Sequence, residues 1–377
     1  MIDQPAGLNR RTLLKTAAVT VVGTQLYLPG KANAAAKAGP SSVIDSIIDC
    51  DSWGSRAPTV PIVLTSGSTQ KIVVHHTNFP NTTDYSRERA IALAHEIQDL
   101  HMDTRGFDDT GQQFTVSRGG YILEGRHRSL ETLRGGTEQV VGAHAVSENR
   151  RSIGIESEGV YLTEQPTQSL FDAVADLCVT ICEQYGLGPN QIFGHWDFAA
   201  TLCPGEAFYP LFPVLRRQVA AGLGTSAADL PERTWPNIMS TSAGTVVATM
   251  QFLLRSRGYP VTPDGGFGPI SIAAVQSFQT AQGLPAATLG EVTNDTWERL
   301  VVPLDAASTG DPVTGLQKML QERGHAGVTQ TGVFDAATDS AVRVVQARHN
   351  LPETGQVDVV TWCVVVGGIA REEFRTS

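Results

Sequence analysis

The C-terminal part of the chain contains an internal repeat, which restricts the folds open to it. One copy contains MQFLLRSRGYPVTPDGGFGPISIAAVQSFQTAQGLP, and the other contains LQKMLQERGHAGVTQTGVFDAATDSAVRVVQARHNLP. In each copy an apolar-periodic helix ends at a glycine, a turn with a phenylalanine follows, and two more helices complete the unit. The equivalent positions are Gly258 and Gly324, Phe267 and Phe334, and Trp297 and Trp362. We therefore expect two small all-α three-helix domains, over residues 244–302 and 308–370.

The part of the chain before the repeats alternates strand and helix patterns. KIVVHHT, RSIGIESEG and IFGHWD are short apolar runs typical of strands. RERAIALAHEIQDLHMD and SLFDAVADLCVTICEQYG have apolar residues at helical spacing. These patterns predict an α/β domain over residues 50–223, with a mixed central β-sheet flanked by helices. Residues 224–243 are polar and rich in small residues, which predicts a linker.

The N-terminus has the pattern of an export signal. Arg10 and Arg11 precede the apolar stretch TAAVTVVGTQLYLP and the small-residue run KANAAA. This order predicts a twin-arginine signal peptide over residues 1–34, with cleavage near Ala34 or Ala36, and hence a secreted protein. The apolar stretch is too short and too weakly apolar to indicate a membrane span.

The charge of the chain restricts its partners. The formal net charge is −10, and no basic patch stands out in the sequence. We therefore expect neither nucleic acid nor an anionic membrane as a partner, and we expect a monomer.

Three residues with metal-binding side chains lie at or after predicted strand ends. His75 lies in KIVVHHT, and His195 and Cys203 lie in GHWDFAATLCPG. Two imidazoles and a thiolate are a good ligand set for Zn²⁺, and three protein ligands leave the fourth tetrahedral position open, as in catalytic sites. If the three side chains meet in space, the pattern indicates a zinc hydrolase.

The other cysteines allow two interpretations. Cys178 and Cys182 are four positions apart on one predicted helix, and in an exported protein Cys50 can pair with one of them. Alternatively, these residues and Cys363 are buried free thiols that pack as small hydrophobic side chains. The sequence leaves both alternatives open.

Five segments, taken in order, resemble the zinc-dependent N-acetylmuramoyl-L-alanine amidase family, which includes the peptidoglycan recognition proteins. They are WGSRAP, KIVVHHT, GGYILEGRH, VGAHAVSENRRSIGIE and GHWDFAATLCPG, within residues 52–218. The C-terminal repeats resemble peptidoglycan-binding domains, although the second copy lacks the DG pair of the first. The resemblance implies a cell-wall amidase that uses Zn²⁺ to hydrolyse the bond between N-acetylmuramic acid and L-alanine. Its partner would be peptidoglycan, through the glycan strand and the stem peptide.

The resemblance also implies roles for individual residues. His75, His195 and Cys203 match the zinc ligands of the family. One branch of the family uses a tyrosine as general base, but Gln112 takes that place here, in DTGQQF, and glutamine cannot usefully exchange a proton. Another branch has a glutamate directly after SIGI, and Glu156 matches it. Glu156 is therefore the predicted general acid/base.

Further candidates surround this predicted centre. Glu158 and Glu124 are weaker candidates for the general base. The hydroxyl of Thr201, two residues before the cysteine, is predicted to donate to the oxyanion. His144 and Asn149, in VGAHAVSEN, are predicted to contact substrate, with a structural role as the alternative for each. Asp197 either orients a ligand or caps a turn.

A second hypothesis belongs to a different functional class. In it, the chain is a non-catalytic peptidoglycan-binding or recognition protein with a structural or vestigial zinc site. The complete ligand set and Glu156 favour the enzyme, and metal-dependent turnover would separate the two hypotheses.

Overall fold

The computed structural model describes residues 40–374 except 68, 147, 200, 241 and 286–287. The predicted signal peptide lies outside the described residues. The described residues all belong to one compact unit of the chain. Among them, no helix is both long enough and apolar enough to cross a membrane.

A mixed β-sheet organises the N-terminal part of the described chain. The strands are β1 Leu64–Ser66, β2 Lys71–His76, β3 Phe114–Val116, β4 Ile122–Glu124, β5 Glu138–Val140, β6 Ser152–Ser157 and β7 Ile192–Gly194. Within the described residues the main sheet has the order β4-β3-β6-β2-β7. Strands β3, β6, β2 and β7 are parallel, and β4 is antiparallel to β3. Strands β1 and β5 form a separate antiparallel pair. The predicted α/β class with a mixed sheet is confirmed.

Helices flank this sheet. They are α1 Pro40–Ser46, α2 Cys50–Trp53, α3 Arg87–Asp99, α4 Ser129–Gly135, α5 Gln168–Tyr185 and α6 Phe212–Gly222. Helix α5 begins where the Thr167 hydroxyl accepts a hydrogen bond from the backbone N–H of Leu170, and it ends at Gly186, whose φ of 67° suits glycine. Its apolar residues recur at helical spacing, so they lie on one face of the helix, and this face is buried in the core of the region.

The strand register places the candidate site at one edge of the sheet. In the parallel pair of β2 and β6, His75 lies opposite Glu156. Strand β7 flanks β2 on the other side and ends at Gly194, directly before His195. The carboxyl ends of parallel strands meet at one edge, which is where α/β proteins bind ligands. His75, Glu156 and His195 therefore converge there.

The C-terminal region consists of the two predicted helical units. The first has α7 Thr245–Ser256, α8 Pro269–Ala281 and α9 Asn294–Leu300, and the second has α10 Asp311–Glu322, α11 Ala336–Arg348 and α12 Val359–Val365. Their buried apolar residues form one continuous core that extends from Trp235 to Ala370. The two repeats are therefore packed against each other and share one hydrophobic core.

A buried glutamine holds the first turn of each repeat. The Gln251 amide donates to the Asp264 carboxylate at 3.0 Å, and its oxygen accepts from the backbone N–H of Gly265 at 2.9 Å. In the second repeat Gln317 makes the equivalent bonds to Thr331 and Gly332. Loss of the DG pair therefore leaves the turn intact, because the threonine hydroxyl takes the place of the carboxylate.

The segment predicted as a linker is packed, which corrects that expectation. Within residues 224–243, strand β8, Arg233–Thr234, pairs antiparallel with strand β9, Ile369–Ala370. Trp235 is buried and stacks on Trp297 with ring centroids 5.6 Å apart. The sequence suggested a linker because most residues around Trp235 are small or polar. Burial of the large apolar surface of a single tryptophan is nevertheless enough to hold such a segment against the core.

All five cysteines are buried free thiols. Of the two interpretations that the sequence left open, the structure therefore has the second. The Cys50 thiol lies 3.4 Å from the carbonyl oxygen of Gly125, and its backbone N–H donates to Glu124. Cys50 is thus held against β4, away from any pairing with Cys178 or Cys182 on α5.

Candidate metal centre

Three side chains converge at the carboxyl edge of the sheet. One ligand atom from each of His75, His195 and Cys203 lies within 4.8 Å of the others, so the group can hold a metal ion. The Cys203 Sγ atom is 3.6 Å from His75 Nδ1, and the rings of His75 and His195 are 4.5 Å apart between centroids. Strand β2 supplies His75, the turn after β7 supplies His195, and the following loop supplies Cys203.

The surroundings of these three residues set their protonation. Burial lowers the pKa of His75 well below its usual value and lowers the pKa of His195 to about 4, so both imidazoles are neutral at pH 7. Burial raises the pKa of the Cys203 thiol, and the nearby Glu156 adds to this effect. The backbone N–H of His76 donates to Cys203 Sγ at 3.2 Å and favours the thiolate. A metal that binds here therefore displaces one proton, from the cysteine.

A chain of hydrogen bonds orients His75. The Ser152 hydroxyl donates to the Glu148 carbonyl at 2.9 Å, so it accepts from His144 Nε2, which is 3.4 Å away. His144 Nδ1 is then an acceptor for His75 Nε2–H at 3.0 Å. This leaves His75 Nδ1 unprotonated on the side of Cys203, as a metal ligand requires. His144, predicted to contact substrate, thus both faces the cleft and supports a candidate ligand.

Gly154 makes room for His144. An alanine Cβ at this position would lie 2.6 Å from the His144 ring. We expect Gly154→Ala to displace His144 and to weaken metal affinity about tenfold. Loss of a residue that hydrogen-bonds a metal ligand typically weakens metal affinity by about this factor. Competition with a chromophoric chelator would measure this change. Gly135→Ala is the control, because its added Cβ meets nothing within 4 Å; unchanged affinity in a folded Gly154→Ala protein would contradict the role of His144.

Other predicted residues occupy different positions relative to the cleft. Asn149 is placed behind it: its amide oxygen accepts from the backbone N–H groups of His144 and Ala145, both at 2.9 Å. These bonds fit the structural alternative for Asn149, in which it holds the loop of His144. Substrate contact by Asn149 stays a prediction. Thr201 lines the cleft, and its hydroxyl oxygen accepts from the Cys203 N–H at 3.1 Å, which leaves its proton available to donate. Asp197 caps its own turn by accepting from Gly194 N–H at 2.9 Å.

Glu156 differs from the other candidate bases. It is partly buried and faces the cleft, and its Oε2 atom is buried with no hydrogen-bond partner among the described residues. Desolvation raises the pKa of Glu156 to about 8, and Arg105 partly opposes this effect. By contrast, Glu158 is paired with Arg89 at 2.9 Å, and Glu124 accepts from two backbone N–H groups. Those two carboxylates are committed to the fold.

Gln112, at the position of the tyrosine base of one branch, lies outside the cleft lining. It is buried, and its amide donates to the Thr115 hydroxyl at 2.9 Å. It therefore lies apart from the cleft that the three candidate ligands line.

The candidate centre opens into a cleft of about 360 Å³. Two of its titratable lining residues, His101 and Arg105, were not among the candidates from the sequence. The sequence pattern predicts one helix through this segment, but helix α3 ends at Asp99 and a π-helical turn, Leu100–Thr104, follows. Such turns often occur at functional sites, and the local residue pattern here does not predict one. Leu202, which is 51% exposed, forms an apolar part of the rim.

The chain is similar to known proteins over two regions. The family model described as N-acetylmuramoyl-L-alanine amidase matches residues 65–206, and the putative peptidoglycan binding domain matches residues 243–300 and 309–364. The chain is 32% identical to the N-acetylmuramoyl-L-alanine amidase of Sus scrofa over 169 residues, which are 44% of this chain and 26% of that protein. It thus spans about a quarter of that relative.

Two further matches cover most of the other protein. The peptidoglycan-recognition protein SC2 of Drosophila melanogaster is 31% identical over 163 residues, which are 42% of this chain and 80% of that protein. The solved structure of wild-type Drosophila PGRP-LB is 26% identical and covers 46% of this chain and 92% of that one, with a TM-score of 0.38.

Proposed function

Because this chain belongs to the N-acetylmuramoyl-L-alanine amidase family, which includes the peptidoglycan recognition proteins, we propose that it is a zinc-dependent amidase of the cell wall. Its reaction would be hydrolysis of the amide bond between N-acetylmuramic acid and L-alanine in peptidoglycan. The observation that carries this proposal is Glu156, in the same cleft as His75, His195 and Cys203. One of its carboxylate oxygens is buried and has no hydrogen-bond partner within the described part of the chain. Desolvating a carboxylate without a partner is costly, and the position of this one beside the candidate ligands supports a catalytic role.

The donor set fits zinc. Tetrahedral Zn²⁺ with a sulfur at about 2.3 Å and a nitrogen at about 2.0 Å places these two atoms about 3.5 Å apart. Cys203 Sγ and His75 Nδ1 are separated by 3.6 Å. Neutral imidazoles and a thiol that receives a backbone N–H bond are suitable ligands, and three of them leave one position open. A Zn²⁺ ion bound there supplies a Lewis acid for the amide carbonyl and acidifies water at neutral pH.

The protein residues move the protons of the reaction. The Glu156 carboxylate accepts a proton from the attacking water and returns it to the alanine nitrogen as the C–N bond breaks. The amine needs this proton because an amide anion is too basic to leave. The Thr201 hydroxyl, which lines the cleft with its proton available, donates to the developing oxyanion.

The remaining parts of the chain serve delivery. The N-terminal twin-arginine pattern supports export, and the helical repeats support attachment to the wall. Attachment raises the effective concentration of an insoluble substrate around the cleft. The net charge of −10 disfavours nucleic acid as a partner, and the repeats, which match the putative peptidoglycan binding domain, support peptidoglycan.

Digestion of purified peptidoglycan tests the proposal. The mature protein, residues 35–377, is expected to release free L-alanine amino groups in the presence of Zn²⁺. A chelator should stop this release, because His75, His195 and Cys203 then lack the ion, and added Zn²⁺ should restore it. New reducing sugar ends would indicate a glycosidase and contradict the mechanism. Binding to the wall without cleavage would support a recognition protein.

A further inference from the structure

The turn that carries His195 is held by the second repeat. The Trp196 indole N–H donates to the Arg323 carbonyl at 3.1 Å, and Arg323 Nη1 donates to the Trp196 carbonyl, also at 3.1 Å. Arg323 Nη1 also lies 3.4 Å from Asp197 Oδ1. The two residues that follow the candidate ligand His195 are thus bonded to a single arginine, which ends the first helical segment of the repeat.

These contacts are shielded from water. The exposed fractions are 7% for Arg323 and 5% for both Trp196 and Asp197. The guanidinium of Arg348 lies over the Trp196 ring, 3.8 Å from its centroid. Buried donors and acceptors are costly to leave unpaired, so this arrangement strongly favours one conformation of the turn.

Asp197 joins the two sides of the turn. Its Oδ2 accepts from Gly194 N–H, directly before His195, and its Oδ1 accepts from the Tyr209 hydroxyl and faces Arg323. The backbone on both sides of His195 is therefore tied to one carboxylate, and Arg323 neutralises that carboxylate. A turn of three residues, His195–Asp197, has too few bonds of its own to maintain this geometry.

The C-terminal segment holds the strand before the turn. The Glu373 carboxylate accepts from Arg216 Nη1 at 3.0 Å and lies 2.9 Å from His349 Nδ1. Arg216 in turn donates to the carbonyl of Ile192, the first residue of β7. The contact with the repeat thus extends from the His195 turn to the strand that leads into it.

The two repeats differ at this surface. Arg257 and Arg323 are equivalent, since each directly precedes the glycine after the first helix. Both donate to carbonyls at the end of the third helix of their own repeat, including Leu300 for Arg257 and Val365 for Arg323. Only Arg323 also bonds the metal-centre turn.

The neighbouring helix shows the same specialisation. In the second repeat Arg348 and His349 contact Trp196 and Tyr209. The first repeat has Ala281 and Gln282 at the equivalent positions, and both are exposed. The second copy therefore carries side chains for the amidase region that the first copy lacks.

We propose that Arg323 is a positioning residue for the metal ligand His195, so that the second repeat is a fixed part of the metal centre. This inference deepens the proposed function and rests on it. Arg323 is not one of the three candidate ligands. It acts through Trp196 and Asp197, whose backbone and carboxylate hold the turn from which the His195 side chain projects.

The test compares two equivalent substitutions, Arg323→Met and Arg257→Met. Each keeps the aliphatic stem and removes the guanidinium bonds to its own third helix. Only Arg323→Met also removes guanidinium bonds to the His195 turn, at the Trp196 carbonyl and the Asp197 carboxylate. We expect Arg323→Met to weaken Zn²⁺ affinity about tenfold, measured by chelator competition, and to shift the visible absorption spectrum of the Co²⁺-loaded protein. Arg257→Met should leave both within experimental error of the wild type.

Two further results keep the inference falsifiable. If Arg323→Met fails to fold, Trp196→Phe removes the indole N–H bond to the Arg323 carbonyl and keeps an aromatic ring next to Arg348. It should change the Co²⁺ spectrum in the same direction. Unchanged zinc affinity and spectrum in folded Arg323→Met, or equal changes in Arg257→Met, would overturn the inference. Zinc binding without peptidoglycan cleavage in the wild type would overturn the proposed function instead, since the metal readouts need no substrate.

Discussion

Replacing Glu156 by glutamine is expected to reduce peptidoglycan cleavage by about 10²–10⁴-fold, the usual contribution of a general acid/base. Glutamine keeps the size and polarity of the side chain but cannot take a proton from water or return it to the leaving amine. The basis of this expectation is the buried Oε2 atom of Glu156 in the cleft, to which no residue that the structure describes donates a hydrogen bond. Zinc affinity and wall binding should persist, because Glu156 is not one of the three candidate ligands.

The measurement is turnover of purified peptidoglycan across a range of pH. In the wild type the rate should rise with pH as Glu156 loses its proton, and this acidic limb should be absent from the residual rate of Glu156→Gln. Glu156→Asp is the matched variant: it retains a carboxylate one methylene further back and should retain intermediate activity. Full activity in Glu156→Gln would show that another group carries the proton.

Thermal unfolding in chelator provides an independent readout of the same residue. Desolvation raises the pKa of Glu156 from 4.5 to about 8 in the folded, metal-free protein. The native state therefore holds a proton that the unfolded state loses between pH 4.5 and 8, so this residue makes stability fall as pH rises through that window. Glu156→Gln should remove its contribution, and the variant should gain stability relative to the wild type toward pH 8.

Replacing Cys203 by serine is expected to weaken zinc affinity by more than about 100-fold and to abolish turnover. Loss of a supporting partner alone costs about 10–100-fold, and here a ligand itself is lost. A serine hydroxyl is a much poorer zinc ligand than a thiolate. The sulfur lies between His75 Nδ1 and the His76 backbone N–H, at 3.6 and 3.2 Å, and serine is close to cysteine in size. The fold should therefore persist.

The control is another buried thiol. Cys182 lies on α5, outside the cleft lining, so Cys182→Ala should lower the melting temperature slightly and leave zinc affinity unchanged. Zinc content by atomic absorption, with chelator competition for affinity, would check both variants. Wild-type zinc affinity in Cys203→Ser would exclude the cysteine as a ligand and with it the proposed centre.

Short sequence segments were sufficient to predict several of the strands and helices of this protein. KIVVHHT and SIGIES form the adjacent strands β2 and β6, and SLFDAVADLCVTICEQY forms helix α5. These elements depend on local periodicity, which the sequence displays directly. The packed segment around Trp235 escaped prediction because it depends on a contact with Trp297, far along the chain. The π-helical turn after Asp99 also escaped prediction, because the apolar spacing continues through it.

The sequence by itself determined the fold class and the identity of the candidate ligands. The fold class follows from the strand and helix periods, which neighbouring residues set, and the ligands follow from their metal-binding side chains. Only the tertiary structure decided that His75 presents Nδ1 toward Cys203, because His144 and Ser152 set its tautomer. It alone also decided that the second repeat bonds the turn of His195. Trp196 and Arg323 are 127 positions apart. Their bonds are strong because the packed surfaces exclude water, and no local sequence pattern indicates which distant surfaces pack together.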